Sequence, residues 1–309
     1  MSEAEQRPAF IGVDWGTSSF RAWLFDHKGN VLDLVQGPFG IKQITGQAFE
    51  KTLQTAIGSW LSTHEGIAVI MCGMIGSAQG WFEAKYLSGQ IGVDELSSRT
   101  IKVPDTHLNV MIVPGIRGVS VDGYNDVVRG EETLLAGWLQ KPTEDATVFC
   151  LPGTHSKWIA TREGQIEQLT TFMTGELFEL MRTRSILAPL INSQAVADSK
   201  SDIFREGLML AQSPAGLLHQ MFAIRAGVLT SRFAKSDVLT LLSGVLVGAE
   251  CLAIKSLVQN RSVTLMSSGN LKWIYQSAFK HFDIVFDVAD SEKAAQKGLF
   301  SIFNHIQQG

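Results

Sequence analysis

The sequence predicts an α/β fold made of two domains, and three observations lead to this prediction. The chain has 309 residues, which is more than one compact core usually serves. Short apolar strand segments alternate with segments of helical periodicity. A strand that enters a Gly-Thr turn and continues as a second strand occurs twice, at Gly16-Thr17 and at Gly153-Thr154. A repeat at this distance indicates a duplicated domain rather than an array of short repeats.

The first half of the chain opens with strands. Residues 10–35 are predicted as strand, turn, strand, turn and strand, and residues 47–63 carry apolar side chains at helical spacing. The stretches GIAVIMCGMIGS (66–77) and NVMIVPGIRG (109–118) predict buried strands, the second stopped by Pro114-Gly115. A helix is predicted over 130–140, ended by Lys141-Pro142, with two acids in its first turn, where the helix dipole favours them.

The second half repeats the opening pattern. A strand over Val148–Leu151 enters a polar turn at 153–156, apolar residues resume at Trp158-Ile159, and a further turn follows at 163–165. The remainder is predicted to be mainly helical, interrupted by VLTLLSGVLVGAE (238–250) and by a last strand in VTLMSSGN (263–270). The predicted domains are residues 1–145 and 146–309.

Composition narrows the class of protein. The chain is 45% hydrophobic and 18% charged with a net charge of −4, which fits a soluble globular protein. It has no dense run of Lys and Arg, so nucleic acid is not an expected partner. It has no run of about 18 apolar residues, so no membrane partner or membrane span is expected. The polar N-terminus is unlike a signal peptide, and the three cysteines lack metal-ligand spacing, so a reduced cytoplasmic location is predicted.

The two Gly-Thr turns carry most of the chemical information. Such a turn after a strand offers backbone N–H groups and hydroxyls that form a nest for phosphate oxygens. Asp14, beside the first turn, is suited to hold Mg²⁺ through water molecules. Either turn alone is more simply an ordinary β-hairpin, but duplication at domain spacing favours two turns that grip a triphosphate.

The sequence resembles the 2-dehydro-3-deoxygalactonokinases, which belong to the actin, Hsp70 and hexokinase superfamily of sugar kinases. The resemblance extends from residue 14 to about residue 270 and is carried by the stretches DWGTSSFRAW, MCGMIGSAQGW, VPGIRG, VRGEET, LPGTHSKW, MTGELFELM, LSGVLVGAE and LMSSGN. It implies two ribonuclease H-like (actin-like ATPase) domains with an active-site cleft between them. The sugar acid would lie on the side of residues 1–145 and the nucleotide on the side of residues 146–309.

The resemblance also implies roles for individual residues on the nucleotide side and at the reaction centre. Asp14 takes the metal position, and Glu131 takes the position of the catalytic base, with Glu132 as the alternative one residue on. Lys157 either reaches a phosphate or covers Trp158. The residues implied for phosphate and ATP are Gly16, Thr17, Ser18, Gly153, Thr154, His155, Ser156, Lys157, Ser268, Gly269 and Asn270.

The sugar acid carries a carboxylate, for which a bidentate arginine is the natural partner. Arg21 and Arg129 lie in family-like motifs, Arg21 being as well explained as a surface residue, and Arg117 is the next candidate. The stretch after residue 72 occupies the place where glycerol kinase-like enzymes hold their polyol. Its candidate substrate contacts are Gly73, Ser77, Gln79 and Trp81.

The expected activity is ATP- and Mg²⁺-dependent phosphorylation of 2-dehydro-3-deoxy-D-galactonate at its terminal C6 hydroxyl, a step that the resemblance places in galactonate degradation. Two alternatives stay open at this point: a kinase of another sugar acid or polyol on the same fold, and a non-catalytic actin-like ATP-binding protein. The expected partners are the sugar acid and ATP, and a homodimer is left open.

Overall fold

The computed structural model describes residues 7–89, 91–138 and 147–308. They form two compact units. The first comprises the described residues within Met1–Asp145 together with Arg162–Leu169 and Ser291–Gly309, and the second comprises those within Ala146–Thr161 and Thr170–Asp290. The predicted two-domain α/β class is confirmed. The helix end expected at Lys141-Pro142 lies outside the described residues.

The first unit is built on a six-stranded sheet and a small three-stranded sheet. The six-stranded order is β3-β2-β1-β4-β7-β6, and the small sheet has the order β5-β8-β9. The strands are β1 (Pro8–Trp15), β2 (Phe20–Asp26), β3 (Val31–Gly37), β4 (Ala68–Cys72), β5 (Leu87–Ser88), β6 (Ile101–Lys102), β7 (Val110–Ile112), β8 (Ile116–Val119) and β9 (Asn125–Val128). The helices up to residue 138 are α1 (Phe49–Thr63), α2 (Val93–Ser98) and α3 (Glu131–Ala136).

The second unit carries a five-stranded sheet of order β12-β11-β10-β13-β14. Its strands are β10 (Thr147–Leu151), β11 (Ser156–Arg162), β12 (Gln165–Phe172), β13 (Ser262–Met266) and β14 (Phe286–Ala289). Its helices are α4 (Thr174–Arg184), α5 (Asp202–Ala211), α6 (Gly216–Leu229), α7 (Val238–Ala253), α8 (Lys255–Val258) and α9 (Gly269–His281).

The two sheets repeat one topology. In each, the first two strands pair antiparallel, the third lies outside the second, and the fourth runs parallel to the first on its other side. The next strand in each sheet is again parallel, as β7 on β4 and β14 on β13. The duplication predicted from the two Gly-Thr turns is therefore confirmed at the level of the whole sheet.

Helix α7 corrects one prediction, because the apolar stretch at 238–250 is a helix and not an interruption between helices. Nearly every side chain along it is buried, so apolar residues are needed on all its faces and the usual amphipathic spacing is missing. Lys235–Ala253 is long and apolar enough to cross a membrane by length and composition, with a mean hydropathy of 1.5, but 72% of this stretch is buried within the protein. It is the central helix of the second unit, and β14 adds a strand after the one predicted to be last.

The C-terminal helix α10 (Ser291–Gln308) packs in the first unit, against β1 and α3. This differs from the expectation that all residues after 145 belong to the second domain. A Cβ on Gly298 would lie 1.7 Å from the carbonyl oxygen of Thr133, and a Cβ on Gly12 would lie 2.9 Å from Leu299. The glycines let α10 approach the backbone of both elements, so the end of the chain supports the helix that Glu131 opens.

Candidate active site

Asp14 and Arg21 face each other across the β1–β2 hairpin. Nη2 of Arg21 donates to Oδ2 of Asp14 over 2.5 Å, and the two side chains are 34% and 19% exposed. Arg21 is therefore already paired with a carboxylate of its own chain. Its position supports a role in orienting Asp14 more directly than the predicted role in substrate binding.

The first Gly-Thr turn is held by the segment that follows β3. The two residues after Gly40 donate backbone hydrogen bonds to the carbonyl oxygens of Gly16 and Thr17, over 3.0 and 3.1 Å. A Cβ on Gly40 would lie 2.3 Å from the Cα of Ser18, so only glycine fits there. The segment 40–42 thus fixes the backbone of the turn, while Thr17 stays partly exposed and Ser18 exposed.

Backbone segments that follow β1, β4 and β9 meet beside Asp14. Gly73 has φ +89°, and a Cβ there would lie 2.9 Å from the carbonyl oxygen of Trp15 and 3.4 Å from Oδ1 of Asp14. Gly130 has φ +110°, and its Cβ would lie 3.3 Å from the Cα of Gly73. Both glycines adopt a backbone conformation that side chains disfavour, and together they bring the start of α3 next to Asp14.

The two acids at the start of α3 occupy different environments. Glu131 is partly exposed, and its Oε2 accepts from the backbone N–H of Arg129 over 3.1 Å. Glu132 is fully buried, and its oxygens accept from the N–H of Gly130 over 2.8 and 2.7 Å. Burial, followed by the negative charge of Glu131, raises the pKa of Glu132 to about 8. Of the two acids, Glu131 is the one that is open to solvent.

Arg129 has a guanidinium with unused donors. Its Nη2 donates to the carbonyl oxygen of Ala84 over 2.8 Å, and its Cζ lies 4.3 Å from the ring centre of Tyr86. Its Nε and Nη1 are buried and have no hydrogen-bond partner. A Cβ on Gly76 would lie 3.0 Å from Nη1, so the absence of a side chain there leaves room beside it. Buried unpaired donors on a cation are costly, and they indicate that an anion belongs at this position.

The other predicted sugar-side residues lie in the segment after β4. Oγ of Ser77 accepts from the backbone N–H of Gln79 over 3.3 Å, and the Gln79 side chain is exposed. Trp81 packs partly buried against the core of the first unit, and its backbone N–H donates to Ile75. Trp81 is therefore held by the core of the first unit, and only part of its side chain is accessible for contact with a substrate.

The second Gly-Thr turn is held by the first turn of α4. A Cβ on Gly175 would lie 2.3 Å from the carbonyl oxygen of Gly153, and the N–H of Glu176 donates to the carbonyl oxygen of Thr154 over 2.8 Å. The Glu176 carboxylate also lies 2.6 Å from Nε2 of His155. Thr154 and His155 are exposed, so this turn presents polar groups to solvent.

Ser156 and Lys157 differ from the rest of this turn because both are buried. The hydroxyl of Ser156 donates to Oε1 of Glu250 over 2.6 Å, and Nζ of Lys157 donates to Thr171 over 2.9 Å. The predicted phosphate contact from the Ser156 side chain does not agree with this position, because its hydroxyl is fully enclosed. Lys157 is bound within the second unit, at the start of β11.

A small cavity of about 70 Å³ lies next to the second turn. Its lining is mostly apolar and includes three residues that carry hydroxyls, Thr174, Ser243 and Tyr275. The lining residues are Gly153, Thr174, Gly175, Phe178, Ser243, Leu246, Val247, Leu271, Ile274 and Tyr275. The predicted adenosine segment Ser268, Gly269 and Asn270 is exposed at the start of α9, the helix that supplies three of these residues.

Asp14 is the carboxylate that could hold a magnesium ion beside the first Gly-Thr turn. Within the described residues no cluster of three or more His, Cys, Asp and Glu side chains is suited to hold a metal. Asp14 has one oxygen engaged by Arg21 and the other facing the side-chain-free Gly73. This donor set fits Mg²⁺ that keeps most of its water and is shared with phosphate oxygens, as Mg²⁺ prefers.

Two sheets of one topology, each with a Gly-Thr turn after its first strand, define the actin-like fold of sugar kinases. The comparisons with known proteins agree. A sequence model of the 2-keto-3-deoxy-galactonokinase family matches residues 14–302. This chain therefore belongs to that family of kinases.

Individual relatives cover nearly the whole chain. It is 32% identical over 292 residues to the probable 2-dehydro-3-deoxygalactonokinase DgoK1 of Rhizobium meliloti strain 1021, covering 94% of this chain and 95% of that protein. It is 31% identical over 300 residues to the 2-dehydro-3-deoxygalactonokinase of Escherichia coli K12, covering 96% and 98%. A crystal structure of a Sinorhizobium meliloti protein assigned to the same activity has 31% identity and a TM-score of 0.89, covering 96% of this chain and 99% of that one.

The buried Glu132 makes a prediction about stability and pH. Its pKa is about 8 in the folded protein against 4.5 in a free side chain, so the unfolded chain loses this proton first as the pH rises. Stability contributed by the protonated form is complete below pH 4.5 and is lost progressively up to about pH 8. Relative to wild type, Glu132→Gln should therefore gain melting temperature steadily from pH 5 to 8 and then level off. A difference that stays constant over pH 5–9 would contradict this.

Proposed function

We propose that this protein transfers the γ-phosphoryl group of ATP to the terminal C6 hydroxyl of 2-dehydro-3-deoxygalactonate. The product is the 6-phosphate, as a step of galactonate degradation in the cytoplasm. The first unit supplies the sugar-acid side and the second unit the nucleotide side. The relatives bear the name of this activity, and one observation in the chain carries the substrate class: the buried guanidinium of Arg129 has two donors without a partner.

Arg129 fits the carboxylate of a keto acid. A guanidinium binds both oxygens of a carboxylate through Nη1 and Nη2 or through Nε and Nη2. Nε and Nη1 have no partner, and Nη2 has a second hydrogen besides the one that it donates to Ala84. Nη2 is held by Ala84 and the plane rests on Tyr86, so little side-chain freedom is left to lose on binding. The neighbouring segment with Gly73, Ser77, Gln79 and Trp81 then lies alongside the hydroxyl-bearing chain.

The phosphate side of the reaction would use the two Gly-Thr turns. Gly16, Thr17 and Ser18 would form the phosphate-binding turn beside Asp14, which would hold Mg²⁺. The N–H of Gly16 closes this turn by donating to the carbonyl oxygen of Ser19, so Thr17 and Ser18 would supply the contacts to phosphate. When bound, Mg²⁺ neutralises charge on the phosphate oxygens. Phosphoryl transfer depends mainly on positioning and charge, and the rigid support of both turns suits that need.

The nucleotide itself would be held by the second unit. Gly153, Thr154 and His155 are accessible for phosphate oxygens, and Ser268, Gly269 and Asn270 lie at the exposed start of α9. The cavity beside Gly153 is too small to enclose a base, but its mostly apolar lining offers a contact surface for part of the nucleoside. Lys157 and Ser156 support this region from inside rather than by touching the nucleotide.

Glu131 would act on the attacking hydroxyl. Glu131 is partly exposed at the start of α3, which Gly130 and Gly73 bring next to the Asp14 region. It would accept the hydroxyl proton as the oxygen attacks the γ-phosphorus. The buried, largely protonated Glu132 would keep the Gly130 turn in place.

A panel of sugar acids and polyols tests the function, with release of ADP measured by a coupled assay. We expect kcat/KM to be highest for 2-dehydro-3-deoxygalactonate. The matched control is the same sugar chain with a hydroxymethyl group in place of the carboxylate, which should be at least about 30-fold poorer, because a buried charged pair is worth about 2 kcal/mol or more. A higher kcat/KM for a polyol would contradict the proposed substrate. Failure to release ADP with any of these compounds would contradict the proposed kinase activity.

Replacement of Arg129 should remove this preference. Arg129→Ala should raise KM for the keto acid about 30-fold or more, with KM for ATP nearly unchanged, and should leave the carboxylate-free analogue unaffected. Arg117→Ala tests the next candidate for the carboxylate, an exposed arginine on β8, and should leave both KM values nearly unchanged. If Arg129→Ala keeps the wild-type KM, the carboxylate is bound elsewhere.

Replacement of the two acids of α3, Glu131 and Glu132, should have different effects on kcat. Glu131→Gln should lower kcat by about 10²–10⁴-fold while ATP still binds, because a positioned base contributes this much. Glu132→Gln should have a much smaller effect, because its carboxyl group is fully enclosed. The measurement is steady-state kcat for both variants with the keto acid saturating. A large loss in Glu132→Gln alone would reverse the assignment.

A further inference from the structure

Glu250 is a buried acid that the reaction scheme above does not use. It lies near the end of α7 and is 2% exposed. Its Oε1 accepts from Ser156 over 2.6 Å and from Nε1 of Trp158 over 2.7 Å. Its Oε2 accepts from the hydroxyl of Tyr275 over 2.8 Å and from the hydroxyl of Thr174. Each oxygen thus receives two donors, which is the full capacity of a carboxylate.

The partners that the structure describes for Glu250 are all neutral, which is unusual for a buried acid. Burial raises its pKa, and the hydrogen bonds from Ser156, Thr174, Trp158 and Tyr275 act in the opposite direction. A buried carboxylate without a cation is costly unless every lone pair is satisfied. A network that is satisfied in only one geometry therefore holds its members in that geometry.

The members of this network come from elements that surround the second Gly-Thr turn. Ser156 ends the turn, and Thr174 opens α4, whose Gly175 lies against the backbone of Gly153. Tyr275 belongs to α9, the helix that begins at 269. Thr174 and Tyr275 also line the cavity next to the turn. One carboxylate thereby links the turn, the start of α4 and the wall formed by α9.

We propose that Glu250 is a positioning residue for adenine-nucleotide binding, which holds the 153–156 turn, α4 and α9 in the arrangement that receives the nucleotide. This proposal rests on the proposed function, because it takes the second unit as the nucleotide side. Glu250 itself is enclosed and does not touch the nucleotide. It acts through Ser156, Thr174 and Tyr275.

The test compares Glu250→Gln with wild type by calorimetric titration of ADP and by steady-state kinetics. The amide keeps the size of the side chain but removes the charge that strengthens the four hydrogen bonds, and the hydroxyls of Thr174 and Tyr275 must then accept from its N–H groups instead of donating. We expect the Kd for ADP and the KM for ATP to rise about tenfold or more, while KM for the keto acid stays within about twofold. Glu206→Gln, the same change at an acid that pairs with Arg232 on the surface of this unit, is the matched control and should leave all three constants unchanged.

Tyr275→Phe decides the question if Glu250→Gln does not fold, because it removes one donor and keeps the buried ring. A raised Kd for ADP in Tyr275→Phe, with an unchanged KM for the keto acid, supports the proposal. A wild-type Kd for ADP in a folded Glu250→Gln, or in Tyr275→Phe, overturns it. So does an equal rise in KM for both substrates, which is what a purely structural role would give. Wild-type protein that binds no ADP would overturn the proposed function as well, so the two failures are distinguishable.

Discussion

The close approach of backbones at the ends of strands is the constraint on which the candidate site depends. After β4 the chain must pass so near the end of β1 that a side chain at residue 73 would collide with the Trp15 carbonyl oxygen. The turn before α3 must in turn pass over Gly73, which requires glycine at 130. Because both positions lack side chains, Asp14 and Glu131 reach one region although they are far apart in sequence.

The same constraint is met in the same way in both units. Each Gly-Thr turn is supported by a glycine just beyond the third strand of its sheet, Gly40 after β3 and Gly175 after β12. In both cases the residues that follow this glycine donate backbone hydrogen bonds to the carbonyls of the turn. The duplication therefore preserves the support of the turn as well as the turn itself.

The two units differ in how they use charge. In the first unit, the enclosed Glu132 lies beside charged groups that stay partly exposed or keep unused donors, namely the Asp14–Arg21 pair and Arg129. In the second unit the central carboxylate, Glu250, is enclosed and satisfied by neutral donors. The first arrangement suits contact with a charged substrate and metal, and the second suits rigid support. This difference is consistent with a sugar-acid side and a nucleotide side.

Local sequence pattern by itself determined the hairpins, the duplicated Gly-Thr turns and the acids beside them, because turn chemistry and strand periodicity act over a few residues. Tertiary structure decided the rest. The helix at 238–253 is evident only in the tertiary structure. It is buried on all sides, so its sequence lacks the apolar and polar periodicity by which a helix is recognised. The tertiary structure placed α10 in the first unit through the fit of Gly12 and Gly298. Tertiary structure also distinguishes Arg21, which is paired with Asp14, from Arg129, which keeps unpaired donors. It distinguishes the partly exposed Glu131 from the buried Glu132. It also surrounds Glu250, the lone acid at the end of an apolar stretch, with four hydrogen-bond donors. Pairing and burial depend on which distant residues meet, and no local pattern contains that information.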